Sequence, residues 1–127
     1  MAERFRVDYR GFVGIGTATP TEELHVIGDI LASGNVTAYS DERLKTNIQT
    51  LDGKKALQMR GVSFIKDGVE GSGVIAQEVE KIAPELVITA DDEMGTKSVA
   101  YGNLVGYLIE AVKELKQEIE ELKRGKN

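Results

Sequence analysis

Ser40-Asp41-Glu42-Arg43-Leu44-Lys45 divides this 127-residue chain into two unlike halves. Before it runs a Gly-rich segment with β-like repeats. After it comes a mixed segment that closes in a helix with heptad spacing. The six residues also place a hydroxyl that can act as a nucleophile shortly before an amine that can act as a base. A reactive pair at the seam between two modules points to scission of the chain there.

Upstream of the seam, Gly28-Asp29-Ile30-Leu31-Ala32-Ser33 is followed directly by Gly34-Asn35-Val36-Thr37-Ala38-Tyr39, so that both copies read G-[DN]-[IV]-x-A-x. Val13-Gly14-Ile15-Gly16-Thr17 and the alternation of Leu24 and Val26 add apolar residues at period two, which predicts short strands broken by glycine. A hexad period suits an interleaved β-stalk, in which no repeat buries its apolar face alone and intertwining of chains completes the core. A meander of hairpins is the competing arrangement. His25, flanked by Leu24 and Val26, is expected to be a packed or surface stalk residue rather than a ligand, because it has no partner histidine or cysteine.

Downstream, Val105, Leu108, Val112, Leu115, Ile119 and Leu122 follow alternating spacings of three and four, the a and d positions of a coiled coil. Glu118 at g and Lys123 at the next e can pair between parallel helices. β-branched residues at a with Leu at d lean toward two strands, but so few heptads do not fix the number of chains. The same stripe would also serve a helix packed on its own domain. Between seam and helix, Gly61–Ile65 predicts a strand turning at Lys66-Asp67-Gly68, Val74–Ala83 a strand running into an amphipathic helix that Pro84 ends, and Leu86–Thr89 and Ser98–Tyr101 two further strands around an acidic turn. The expected fold class is α+β: a Gly-rich β-stalk segment over 1–39 and a domain over 40–127, with its mixed part at 40–102 and the long coiled-coil helix at 103–124, in an intertwined homotrimer.

Composition excludes several classes. A net charge of −5 with interspersed signs argues against binding a nucleic-acid backbone. The chain has no cysteine and one histidine, so neither a disulfide framework nor a thiolate or histidine metal site is expected, and no cofactor is implied. No apolar run approaches the ~20 residues that span a bilayer, and Met1-Ala2-Glu3-Arg4-Phe5-Arg6 lacks the apolar core of a signal peptide, so a soluble chain made in a cytoplasm is expected. With 41% hydrophobic residues but 6% aromatic, the apolar surface is mostly aliphatic stripes that need a partner to cover them.

From Ser40 onward the chain resembles the intramolecular chaperone domain of phage endosialidases, tailspikes, tail fibres and neck appendages. The residues that carry the likeness are Ser40 through Ile48, then Gly73-Val74-Ile75-Ala76-Gln77-Glu78-Val79 with Pro84-Glu85-Leu86-Val87, and Val99-Ala100-Tyr101. The upstream Val13–Thr17, Leu24-His25-Val26 and the hexads are similar to the fibre segment that often precedes such domains. A related self-cleaving domain occurs in a membrane-bound animal transcription factor, but a phage fibre is the better context for a chain without a DNA-binding or membrane segment. The resemblance implies a homotrimer that templates the upstream fibre or tailspike domain of the same chain and then cuts itself off beside the serine. It carries the catalytic serine and lysine onto Ser40 and Lys45. It also favours Ser40-Asp41 as the scissile bond, with Tyr39-Ser40 the other candidate. The fibre part would go to the virion tail, the chaperone part being made in the host cytoplasm and released. A non-cleaving trimerisation module at a fibre tip is the alternative; an adhesin is disfavoured, Tyr39 and Tyr101 being too few for a binding patch.

The chemistry has its own requirements. A serine hydroxyl must lose its proton before attack, so Lys45 must first lose its charge, and burial in a low-dielectric pocket formed on assembly would drive that. Ser40 as the N-cap of a short helix, with Asp41 and Glu42 in its first turn, would let the lysine stem reach back. Without such a pocket, Ser40 is an ordinary cap and Lys45 a solvated charge. Asn47 or backbone N–H groups could stabilise the oxyanion, and Tyr101 is a core residue whose hydroxyl could reach toward the site.

Overall fold

A computed structural model describes residues 4–125, so that Met1–Glu3 of the expected stalk and Lys126–Asn127 lie outside the described residues. The chain is α+β with one long closing helix. It forms two compact units: residues 1–47 with 91–94, and residues 48–90 with 95–127.

The first unit holds a three-stranded sheet. Strand β1 (Phe5–Val7) pairs antiparallel with β2 (Val13–Ile15), which pairs parallel with β3 (Leu24–Val26). The connections are held by polar side chains rather than by a core. Asp8 accepts from the backbone N–H groups of Arg10 (2.8 Å) and Phe12 (3.0 Å), while the Arg10 guanidinium lies 4.2 Å over the Phe12 ring and donates to the Pro20 carbonyl at 2.8 Å. His25 is half-buried in β3, and its Nδ1 accepts from the Thr21 N–H at 3.1 Å, which makes it a packed residue closing the loop before its own strand. The hexad region forms no strand within the chain, and every residue from 27 to 52 is exposed.

The second unit contains helix α1 (Lys54–Leu57), the hairpin β4 (Val62–Lys66) and β5 (Val69–Gly73), helix α2 (Ala76–Ile82), the pair β6 (Val87–Thr89) and β7 (Lys97–Val99), and helix α3 (Leu104–Gly125). Asp67 and Gly68 have φ of 52° and 76°, the left-handed pair of a two-residue hairpin turn that an Asp-Gly dipeptide favours. Pro84 ends α2 and opens a 3₁₀ turn through Leu86. The segments before α2 and after β7 are not strands: Ile75 is the α2 N-cap, and Tyr101–Asn103 is a 3₁₀ turn leading into α3.

Val79, Ala83, Leu86 and Tyr107 form the core of this unit, with Ala56, Met59, Val74, Val87 and Leu104 packed against it. Tyr107 and Ala111 of α3 are buried, whereas the expected heptad residues are all open to solvent, from Leu115 at 42% exposed to Leu122 at 68%. The helix therefore packs on its own domain through a different face from its a/d stripe. The approach of α1 to α3 is set at Gly53: a Cβ there would fall 2.3 Å from the Glu110 carbonyl carbon. About one turn earlier on α3 the Tyr107 hydroxyl donates to a carboxylate oxygen of Glu85, a buried ring tied to the turn after α2. Burial first, and then that bond, push the Tyr107 phenol up to about 12, while its donation holds the Glu85 carboxyl below the ordinary 4.5.

Two predictions follow from this packing. Gly53→Ala forces backbone against backbone and should cost about 1–3 kcal/mol, lowering the thermal midpoint by at least ~4 °C, whereas Gly34→Ala, which meets nothing within 4 Å, should leave it unchanged. Because the Glu85 value is depressed on folding, its contribution is present above 4.5 and is lost as pH falls through the folded value. Acid titration of thermal stability should show a smaller loss below 4.5 in Tyr107→Phe than in the parent; equal losses would remove this pair as the cause.

Candidate functional site

The seam residues fold locally, because their partners come from within the same few residues. Asp41, not Ser40, is the N-cap of a 3₁₀ turn spanning Glu42–Leu44. Its Oδ1 accepts from the Arg43 backbone N–H at 2.9 Å. The same carboxylate receives Arg43 Nε at 3.0 and 3.2 Å and Nη2 at 2.7 Å, a fork closed on residue i+2. The turn ends at Lys45, whose backbone N–H donates to the Glu42 carbonyl at 3.1 Å.

The shift of the cap by one residue has a chemical consequence. A serine that caps a helix spends its oxygen on a backbone N–H. Here the cap is taken by Asp41, and the Ser40 Oγ instead lies 2.7 Å from Lys45 Nζ. The structure thus joins the two residues that the sequence singles out, through a turn capped differently from the expectation. In this contact the ammonium donates and the hydroxyl oxygen accepts. General-base chemistry needs the reverse polarity, a neutral amine accepting the serine proton, and both side chains are exposed in the chain by itself.

Asp41 and Arg43 are paired with each other. The hydrogen bonds from Arg43 hold the Asp41 carboxyl below its ordinary 3.8, and Asp41 in turn raises the Arg43 guanidinium above its usual value. Asn47 adopts φ 53°, a left-handed conformation that Asn tolerates better than most residues, at the end of the seam segment. Tyr101 is engaged elsewhere, its hydroxyl accepting from the Val74 N–H at 3.3 Å and lying where a Cβ on Gly73 would be. No group of three or more acidic, histidine or cysteine side chains that could hold a metal occurs among the described residues. Nor is any helix among them long and apolar enough to cross a membrane.

Arg43 is the residue that the motif reading passed over. The signal was available in the sequence: Asp-x-Arg occurs at Asp8-Tyr9-Arg10 as well as at Asp41-Glu42-Arg43, and both copies close in the same way, with carboxylate to backbone N–H and guanidinium to carboxylate.

Residues 40–88 match the family described as the chaperone of endosialidase, a family classed among the peptidases. The chain carries a domain of this chaperone family, and the match opens at Ser40. The chain is 30% identical over 111 residues to the long tail fiber protein Gp37 of Enterobacteria phage K3, covering 75% of this chain and 9% of that protein. The Gp37 of Enterobacteria phage T2 matches at the same identity over 8% of its length. An uncharacterized membrane protein of Dictyostelium discoideum is 32% identical over 101 residues, covering 63% of this chain and 6% of that protein. The chain spans less than a tenth of the length of these curated relatives.

Proposed function

We propose that this chain is an intramolecular chaperone that assembles as a homotrimer, templates the folding of a phage tail fibre or tailspike, and then releases itself by serine-lysine scission beside Ser40. Residues 1–39 would be the end of the fibre stalk and 40–127 the chaperone. The observation that carries the reading is the 2.7 Å contact of Lys45 Nζ with Ser40 Oγ at the start of the family match.

Two features support assembly as the trigger. Ile30, Leu31, Val36 and Tyr39 in the hexads and the a/d stripe of α3 are exposed in the single chain, and few side chains are buried to offset the entropy of ordering it. Covering both stripes with further copies removes that deficit. It would also enclose the seam, and desolvation is what strips the proton from a lysine. Lys45 would then accept the Ser40 proton, the hydroxyl would attack a backbone carbonyl, and the lysine would pass the proton to the leaving amide nitrogen. Attack on the Tyr39 carbonyl closes a five-membered ring. Attack by Ser40 on its own carbonyl would close a strained four-membered ring, so scission at Ser40-Asp41, the bond the resemblance favours, calls for the hydroxyl of a second copy. In either case water hydrolyses the resulting ester, and the separated fibre would be held by its unfolding barrier.

Intact mass after expression tests the chemistry. The parent should yield two fragments whose masses identify the bond, while Ser40→Ala and Lys45→Ala stay whole. A fully assembled parent that never cleaves would instead make the chain a permanent trimerisation module. Assembly is tested separately: Val112→Asp with Leu115→Asp should abolish the trimer in light scattering, and a monomeric or dimeric parent would remove the trimer from the proposal.

A further inference from the structure

The exposed Asp41–Arg43 pair explains little as a source of stability, since ion pairs with this much solvent contact are worth little. Its position accounts for more. Asp41 is the carboxylate adjacent in sequence to Ser40, whose Oγ holds the Lys45 amine. An ammonium beside a free carboxylate retains its proton, and a general base must give that proton up. All the described hydrogen bonds to the Asp41 carboxylate come from Arg43, one from the backbone and the others from the guanidinium. Glu42 is the other carboxylate on this turn, and Ser40 through Lys45 are all exposed in the chain by itself.

We propose that Asp41 and Arg43 are positioning residues for the self-cleavage: Asp41 fixes the turn that returns Lys45 to Ser40, and Arg43 occupies the carboxylate that would otherwise hold the lysine's proton. The proposal rests on the assignment of Ser40 and Lys45 as the reacting pair. The depressed Asp41 carboxyl is consistent with it, being ionised wherever the lysine could act. Arg43 suits the task because its planar fork satisfies both carboxylate oxygens, as a lysine ammonium does not.

Cleavage of the full chain, followed by intact mass across a pH series, separates this from a purely structural role. Arg43→Gln should cleave about tenfold more slowly at neutral pH and recover the parent rate roughly one pH unit higher. Arg43→Lys, which keeps the charge without the fork, should fall between the two. Asp41→Asn/Arg43→Gln keeps an N-cap side chain but removes the carboxylate, and should return the profile to that of the parent. A parent-like profile for Arg43→Gln, or a double variant as slow as the single at every pH, would overturn the proposal. A second measurement does not depend on cleavage. In chains that also carry Ser40→Ala, trace acylation of Lys45 at neutral pH, read by peptide mass, should be lower with Arg43→Gln and restored in the combination with Asp41→Asn. Equal acylation in all three would refute the role of Arg43. Absence of cleavage in the parent, with the acylation pattern as expected, would strike the Ser40–Lys45 assignment alone.

Discussion

Helix α3 is held to its own chain along a narrow face, and the second unit depends on that attachment. Tyr107 reaches the core formed by α2 and the turn at Leu86, and Gly53 lets the start of α1 lie against the α3 backbone at Glu110 and the buried Ala111. So small a footprint leaves the heptad stripe of a 22-residue helix in water. A side chain the size of leucine loses about 1.5–3 kcal/mol of favourable burial when left exposed, so such a stripe favours association strongly. Intrachain packing, which the sequence posed as a competitor with self-association for one apolar face, uses a different face of the helix and leaves the a/d stripe exposed.

The seam illustrates a related economy in polar groups. A serine, an aspartate, an arginine and a lysine within six residues could satisfy one another in several ways. The turn selects one of them: Asp41 takes the cap and the guanidinium, which leaves the hydroxyl to the amine. In an exposed segment that arrangement is at rest, since a solvated ammonium is a donor and not a base. The geometry is present before the chemistry, and a change of solvation would separate the resting state from the reactive one. That division would suit the proposed self-cleavage, with assembly as its trigger.

The sequence made the local elements legible and the non-local ones less so. Asp67-Gly68 announces its hairpin, Pro84 the end of α2, and the three-four spacing the closing helix, because each is decided by neighbours in the chain. The Ser40–Lys45 contact was legible in the same sense, as a turn that returns a long stem to a nearby hydroxyl. Its cap was misplaced by one residue, because serine and aspartate compete for that role with nearly equal preference and the deciding guanidinium was not counted. The hexads are the opposite case. Their period states that an apolar face recurs, but pairing across it would be with distant strands or other copies, and a period contains nothing about register or partner.

The Asp41-Glu42-Arg43 clamp draws its side-chain hydrogen bonds from within three consecutive residues, and the same Asp-to-Arg bonds recur at Asp8–Arg10, there joined by Phe12 and Pro20. A junction shaped in this way makes few demands on what is spliced in front of it. Exchange of upstream segments by recombination would leave the turn and the Ser40–Lys45 contact intact, so that one junction could be inherited beneath many different stalks.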